Sequence, residues 1–170
     1  NDDSELERYL GIHRQLCFMV SNYIDYQSVD GKYRKYRIAL IDKLPYLSHL
    51  AISDDWMAHY ITSGMDLSEE KRHEEEKAFS TFRNGFLVKH GAILSLIAAR
   101  LDLDYVVLDC GEMRDGSLVL FEADNRGWIH AVDSTDVFPY KAKNMLNIFD
   151  AFRAMILSRK LSSINNTSSF

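Results

Sequence analysis

Residues 104–124 constrain the fold of this chain more tightly than any other stretch. Two apolar, β-rich runs, Asp104 to Glu112 and Ser117 to Asp124, are joined through Arg114-Asp115-Gly116. Asp-Gly between such runs is the strongest short-range hairpin signal, because a tight hairpin turn needs positive φ. With Asp115-Gly116 as a two-residue loop, Arg114 and Ser117 form the first pair and Asp109 falls directly opposite Glu122. Opposed residues of an antiparallel pair share a face with Cβ atoms about 4.5–5.5 Å apart, and alternation brings Asp124 to the same face, diagonal to Asp109. Three carboxylates are therefore expected to converge. Like charges opposite one another destabilise a hairpin, and these follow the apolar runs Val106-Val107-Leu108 and Leu118 to Phe121. A positive group belongs between them. Oxygen ligands on a rigid ladder suit Mg²⁺, which takes one or two carboxylates and fills its shell with water and phosphate oxygens. Lys and Arg, a structural Ca²⁺ or the metal of a hydrolase would satisfy the same charges.

Further hairpin and helix signals surround this one. Tyr33 to Ile41 and Tyr46 to Ile52 are β-prone runs separated by Asp42-Lys43-Leu44-Pro45, a turn sequence. Cys17 to Tyr26, with Phe18, Val20, Tyr23 and Ile24, predicts a further strand. Ser68 to Phe82 carries helix formers behind an N-cap hydroxyl and is expected to break at Asn84-Gly85. Its charged run Glu69 to Lys77 is expected to face solvent. Gly91 to Leu101 places Ile93, Leu96, Ile97 and Leu101 at helical spacing, and Met145, Phe149, Phe152 and Ile156 mark another amphipathic helix ending near Lys160. Trp56, Met57 and Trp128 are expected to be packing residues. Strands that arrive in hairpins rather than alternating with helices predict an α+β fold, an antiparallel sheet covered by helices.

Composition agrees and narrows the setting. At 170 residues and 46% hydrophobic, the chain has enough material for one domain with a real core, expected over 1–161, followed by an unstructured Ser/Asn/Thr tail at 162–170. Its 8 Gly and 2 Pro are half of the roughly 20 that average usage would supply, which favours long regular elements. A net charge of -5 argues against bulk nucleic-acid or anionic-membrane binding. Two cysteines without C-x-x-C spacing, and no apolar run near the roughly 18 residues of a bilayer span, predict a cytoplasmic protein.

The segment Leu108-Asp109, Asp115-Gly116 and Val119-Leu120-Phe121-Glu122-Ala123-Asp124-Asn125 resembles the terminal metal-binding hairpin of the ATP-grasp ligases, the superfamily of glutathione synthetase. The resemblance implies that Asp109 and Glu122, with Asp124 or Asn125 completing the shell, hold Mg²⁺ (or Mn²⁺) against ATP phosphates. It extends backwards. Phe18 to Ile24 is similar to the family's hinge strand, which implies nucleotide contacts from Met19, Ser21, Asn22 and Tyr23, with Asn22 where the family places an acid for the ribose. Gly31 to Asp42 resembles the next strand, whose Arg reaches the phosphates or the acyl-phosphate. Arg37 is the first candidate for that role and Arg34, of opposite side-chain parity, the second. The segment Tyr46 to Ser53 resembles a His-containing stretch of the same class, which implies that His49, and after it His59, contact nucleotide or substrate.

The resemblance covers a carboxy-terminal lobe alone, without the family's glycine-rich loop and phosphate-binding Lys. It implies a lobe of an ATP-dependent ligase that joins a carboxylate to an amine through an acyl-phosphate and that is inactive when isolated. The implied partners are ATP, a carboxylate and amine pair, a second lobe or partner chain, and a second copy covering Phe18, Tyr23 and Tyr33. The rival expectation is a non-catalytic nucleotide- or metal-binding module, or a pseudoenzyme used as an interaction domain. A metal-dependent phosphohydrolase is disfavoured because no His-Asp metal dyad accompanies the carboxylates.

Overall fold

The structure, a computed structural model, describes residues 3–13, 17–18 and 20–167, without the side chains of 161–167. Its elements are α1 (Asp3–Ile12), β1 (Tyr33–Ile41), β2 (Leu44–Ser53), α2 (Glu69–Thr81), α3 (Leu87–Leu101), β3 (Tyr105–Glu112), β4 (Leu118–Asp124) and α4 (Lys141–Thr167). The four strands form one antiparallel sheet in the order β2-β1-β3-β4. The fold is the α+β arrangement expected from the hairpins. Alternation along the central strands explains the layering. Ile38, Leu40, Val106, Leu108 and Cys110 turn one way and pack with Leu94 and Ala98 of α3. Ala39 and Ile41 turn the other way and pack with Met145, Ile148 and Met155 of α4. Both faces of β1 are thus covered here, which is why its apolar residues run without interruption.

The two hairpins close differently. Asp42 and Lys43 both have positive φ, 49° and 66°, the backbone of a two-residue turn whose twist suits the flanking strands. Pro45 follows on β2, an edge strand, where its missing N–H costs least. Between β3 and β4 the loop has three residues rather than two. Met113 N–H donates to the Ser117 carbonyl at 2.8 Å, Gly116 N–H donates to the Met113 carbonyl, and Gly116 takes φ 82°. That arrangement moves the register next to the turn by one, so that Cys110 pairs with Leu120. A bulge at Phe121 moves it back, and Asp109 stands opposite Glu122 after all. The expected pairing is present for a reason the Asp-Gly signal did not contain.

Other expectations need correction. The described residues of 17–26 form no strand; the only pairing in this region is an isolated bridge between Gln27 and Tyr33. It cannot join the sheet beside β1, which already has β2 and β3 on its two sides. The helix expected to break at Asn84-Gly85 passes through that point as a π-helical turn, Phe82–Phe86, and α3 begins at Leu87 rather than Gly91. Ser68 does cap α2, accepting from the Lys71 N–H. The buried line of α3 is His90, Leu94 and Ala98, whereas Ile93, Leu96 and Leu101 of the expected stripe are exposed. On α4 only Met145 of the expected four is buried, and Ile148 and Met155 replace Phe149, Phe152 and Ile156. Both helices carry apolar residues on more than one side, so spacing alone does not choose between them. α4 also continues to Thr167, through most of the segment expected to be unstructured. Trp56, Met57 and Trp128 are exposed rather than packed. No helix of the described residues is long and apolar enough to cross a membrane.

Candidate functional site

One cross-strand row spans the sheet. Strand pairing aligns His49 of β2 with Arg37 of β1, Arg37 with Asp109 of β3, and Asp109 with Glu122 of β4. Bulges flank it, at Ser48 on β2 and Phe121 on β4. Such irregularities re-aim side chains locally. On this face the row lies beside Ala39, Ile41, Tyr105 and Val107, so it borders the core under α4. At its centre Arg37 grips Asp109 side-on, with Nε 2.7 Å from Oδ1 and Nη2 2.9 Å from Oδ2. The Lys35 ammonium adds a third contact, 3.0 Å from Oδ2. Asp109 is 4% exposed. Burial by itself would raise its pKa, but the hydrogen bonds and charges of Arg37 and Lys35 outweigh burial and hold it below the usual carboxylate range. His49 is buried and stacks on Tyr60 with ring centroids 4.4 Å apart. Burial, reinforced by the cationic Arg37 and Lys141, depresses its pKa well below that of free histidine, so the ring is neutral at pH 7.

Next to the row, on the same face, the sheet is the floor of a cleft of about 670 Å³. Lys35, which pairs with Ala51 on one side and Gly111 on the other, rises from that floor. Ser21, Asn22, Tyr23 and Ile24 form one wall, Trp56 to His59 another, and Val119 to Phe121 a third. Tyr26 pins the first wall down: it is buried, its hydroxyl donates to the Trp56 carbonyl, and its ring meets those of Tyr33 and Phe121 at 5.0 and 4.7 Å. Gly111 permits this packing, because a Cβ there would lie 2.9 Å from the Tyr26 ring and 3.1 Å from Phe121. Tyr23 and Trp56 meet edge to face across the cleft wall, 5.9 Å apart.

The structure therefore brings Ser21, Asn22, Tyr23 and His59 to the cleft, and His49, Arg37, Asp109 and Glu122 to the adjoining row. Met19 lies outside the described residues. Arg34 goes elsewhere. Its parity turns it to the opposite face, where Asp30 takes it at 2.7 and 2.9 Å and Glu74 of α2 binds its other edge. Tyr33, expected to be bare, is buried by its own chain.

The residues do not fit a Mg²⁺ centre as arranged. Both oxygens of Asp109 are engaged by Arg37 and Lys35. Asp124 accepts the Arg126 N–H at 2.8 Å within a turn, and Asn125 is exposed in that turn. Glu122 is exposed on the edge strand, near enough to reinforce the charge of Arg37. Among the described residues no group of three or more His, Cys, Asp or Glu is placed to hold a metal ion. The expected convergence of three carboxylates is reduced to the pair Asp109 and Glu122. The positive charge that this pair demanded is supplied by β1.

A second polar cluster escaped sequence reasoning. Glu75, expected on a solvated helix face, is 0% exposed. Its carboxylate accepts the Leu50 N–H at 3.1 Å and the Tyr140 hydroxyl at 2.6 Å and pairs with the Lys141 ammonium at 3.1 Å. Lys141 also reaches Asp133 at 2.9 Å and lies over the Tyr60 ring, 4.0 Å from its centroid. Through Tyr60 the cluster touches His49, and thus the row. Burial raises the Glu75 pKa, opposed by Lys141 and the Tyr140 hydroxyl. No spacing rule marks Glu75 among its charged neighbours. Comparison of the chain with family models, with curated proteins and with solved structures finds no match.

Proposed function

We propose that this chain is the carboxy-terminal lobe of an ATP-grasp ligase and binds ATP in the cleft beside the charged row. One observation carries the reading: residues 21–24 and Lys35, distant from Trp56 and from Val119 to Phe121 in sequence, meet around a single cavity with the Lys35 ammonium on its floor and aromatic rings in its walls. A nucleotide needs that division. The aromatic faces of Tyr23 and Trp56 suit a base, Asn22 supplies hydrogen bonding for a ribose, and Lys35 with Arg37 beyond it suits phosphate oxygens. Cavities of this size commonly hold a ligand of that bulk. In the ligase reaction such cations would stabilise charge on the transferred phosphoryl group as a carboxylate becomes an acyl-phosphate for attack by an amine.

The test is equilibrium binding. With Trp56 in the cleft wall, ATP should change the intrinsic fluorescence of the protein, and Trp56→Phe should abolish the change. Lys35→Met should weaken binding at least tenfold, the loss of about 1.4 kcal/mol. No response at about 1 mM ATP, a level corresponding to only about 4 kcal/mol of affinity, would discard the reading. A second reading, a non-catalytic nucleotide-binding module, is favoured by the saturation of Asp109 with cations. Both readings require ATP binding, and turnover in the presence of the second lobe or partner chain, which only the ligase reading expects, separates them.

A further inference from the structure

Two cations share one carboxylate at the floor of the cleft. The side-on grip of Arg37 on both Asp109 oxygens is the geometry with which a guanidinium takes a phosphate, and the Lys35 contact completes a three-point clamp. The clamp borders the cleft directly, since Lys35 is part of the cleft lining. Asp109 thus occupies, from inside the protein, the coordination that an incoming oxyanion would need. Its other neighbour is repulsive: Glu122 stands directly opposite on β4.

We propose that Asp109 is a built-in counter-ion that competes with phosphate-bearing ligands for Lys35 and Arg37, so that ligand binding is an exchange of one oxyanion for another. The inference rests on reading the cleft as a nucleotide site and adds how that site is regulated. Without ligand, Asp109 keeps two largely buried cations paired, and removing a partner from such a pair is costly. When a polyphosphate takes the cations, Asp109 is left facing Glu122, a like-charge contact that opposes the exchange. The wild-type site should therefore bind phosphates more weakly than its cations alone would allow. Removing the competitor should strengthen binding.

The experiment is calorimetric titration of the full chain with inorganic pyrophosphate, and separately with ATP, in metal-free buffer containing a chelator. Asp109→Asn should bind pyrophosphate at least tenfold more tightly than wild type. Glu122→Gln, a change at an exposed position, should tighten it by a few fold through relief of the repulsion. Asp124→Asn removes the same charge from the same face without freeing a cation and should change little. Unchanged or weaker pyrophosphate binding by Asp109→Asn, or equal tightening by Asp124→Asn, would overturn the exchange. Should Asp109→Asn fail to fold, nuclear resonance of the wild type decides: pyrophosphate must shift the Arg37 Nε–H and the Asp109 carboxyl carbon together, and a silent pair overturns the proposal. Tightened pyrophosphate binding without any ATP binding would uphold the exchange and discard the nucleotide reading. ATP binding with no effect of Asp109→Asn on pyrophosphate would do the reverse.

Discussion

His49 is the residue whose surroundings make the sharpest demand. It is buried between the cations Arg37, Lys35 and Lys141, with only Asp109 acting in the other direction, and burial is the largest influence on it. A group whose folded pKa lies below its unfolded value gives stability that is present above the unfolded pKa and lost as pH falls toward the folded one. For His49 that window opens below the ordinary histidine value of 6.5. Wild-type stability is expected to fall with acidification there by up to about 1.4 kcal/mol per pH unit from this residue alone. His49→Gln should remove that part of the slope, and parallel denaturant titrations of both proteins between pH 6.5 and 5 check it. Equal slopes would mean that the ring accepts a proton in place. Glu75 makes a different demand. Glu75→Leu takes from the buried Lys141 one of its two carboxylate partners, leaving Asp133, and is expected to cost about 3 kcal/mol, whereas Glu75→Leu with Lys141→Met should recover part of the loss. Additive losses in that double-mutant cycle would show that the two charges do not depend on each other.

At the scale of elements, the site is a product of register. The three-residue loop at Arg114-Asp115-Gly116 and the bulge at Phe121 shift the β3–β4 pairing in opposite senses, and only their combination sets Asp109 against Glu122. The bulge at Ser48 does the equivalent for β2, turning His49 to the face of Arg37. Gly111 links register to the cleft, because its bare backbone lets Tyr26 and Phe121 close over the sheet. Gly111→Ala should destabilise the protein by about 1–3 kcal/mol, the usual range for overpacking, and should also weaken ATP binding by displacing the Tyr26 wall. Thermal melts and fluorescence titration of the same variant test both parts. A stability loss with unchanged ATP affinity would separate the wall from the site.

For the molecule as a whole, the cleft is deep enough to hold a ligand and too open to enclose one. Tyr23, Trp56 and Met57 each remain more than half exposed around it. Phosphoryl transfer depends on positioning from several sides and on excluding water. Purified residues 1–170 are therefore expected to bind ATP without releasing ADP, and steady ADP production in a coupled assay would show that this chain suffices for catalysis. The same exposure makes a prediction about association. Tyr23, Ile24, Trp56 and Met57 leave apolar side chains exposed around the cleft, the kind of surface that a partner covers. A second chain or lobe covering this surface is expected. Light scattering should report association that Trp56→Ser weakens, and a monodisperse monomer at high concentration would count against it.

What the sequence determined by itself was local. Alternating apolar runs and turn chemistry specify four strands in two hairpins, and with them the α+β class and the opposite faces of Arg34 and Arg37, since parity along a strand needs no knowledge of the rest of the chain. The tertiary structure decided everything that depends on which surfaces meet. It left the described residues of 17–26 outside the sheet, whose central strand β1 is paired on both sides, and it chose among the apolar sides of α3 and α4 according to which one the sheet could bury. It also buried Glu75 in a charged run that looks uniformly solvated. Most consequentially, it settled which positive groups answer the Asp109 and Glu122 carboxylates. The hairpin alone showed that a cation was needed; only the pairing of β1 against β3, across more than seventy residues of sequence, supplied Arg37 and Lys35.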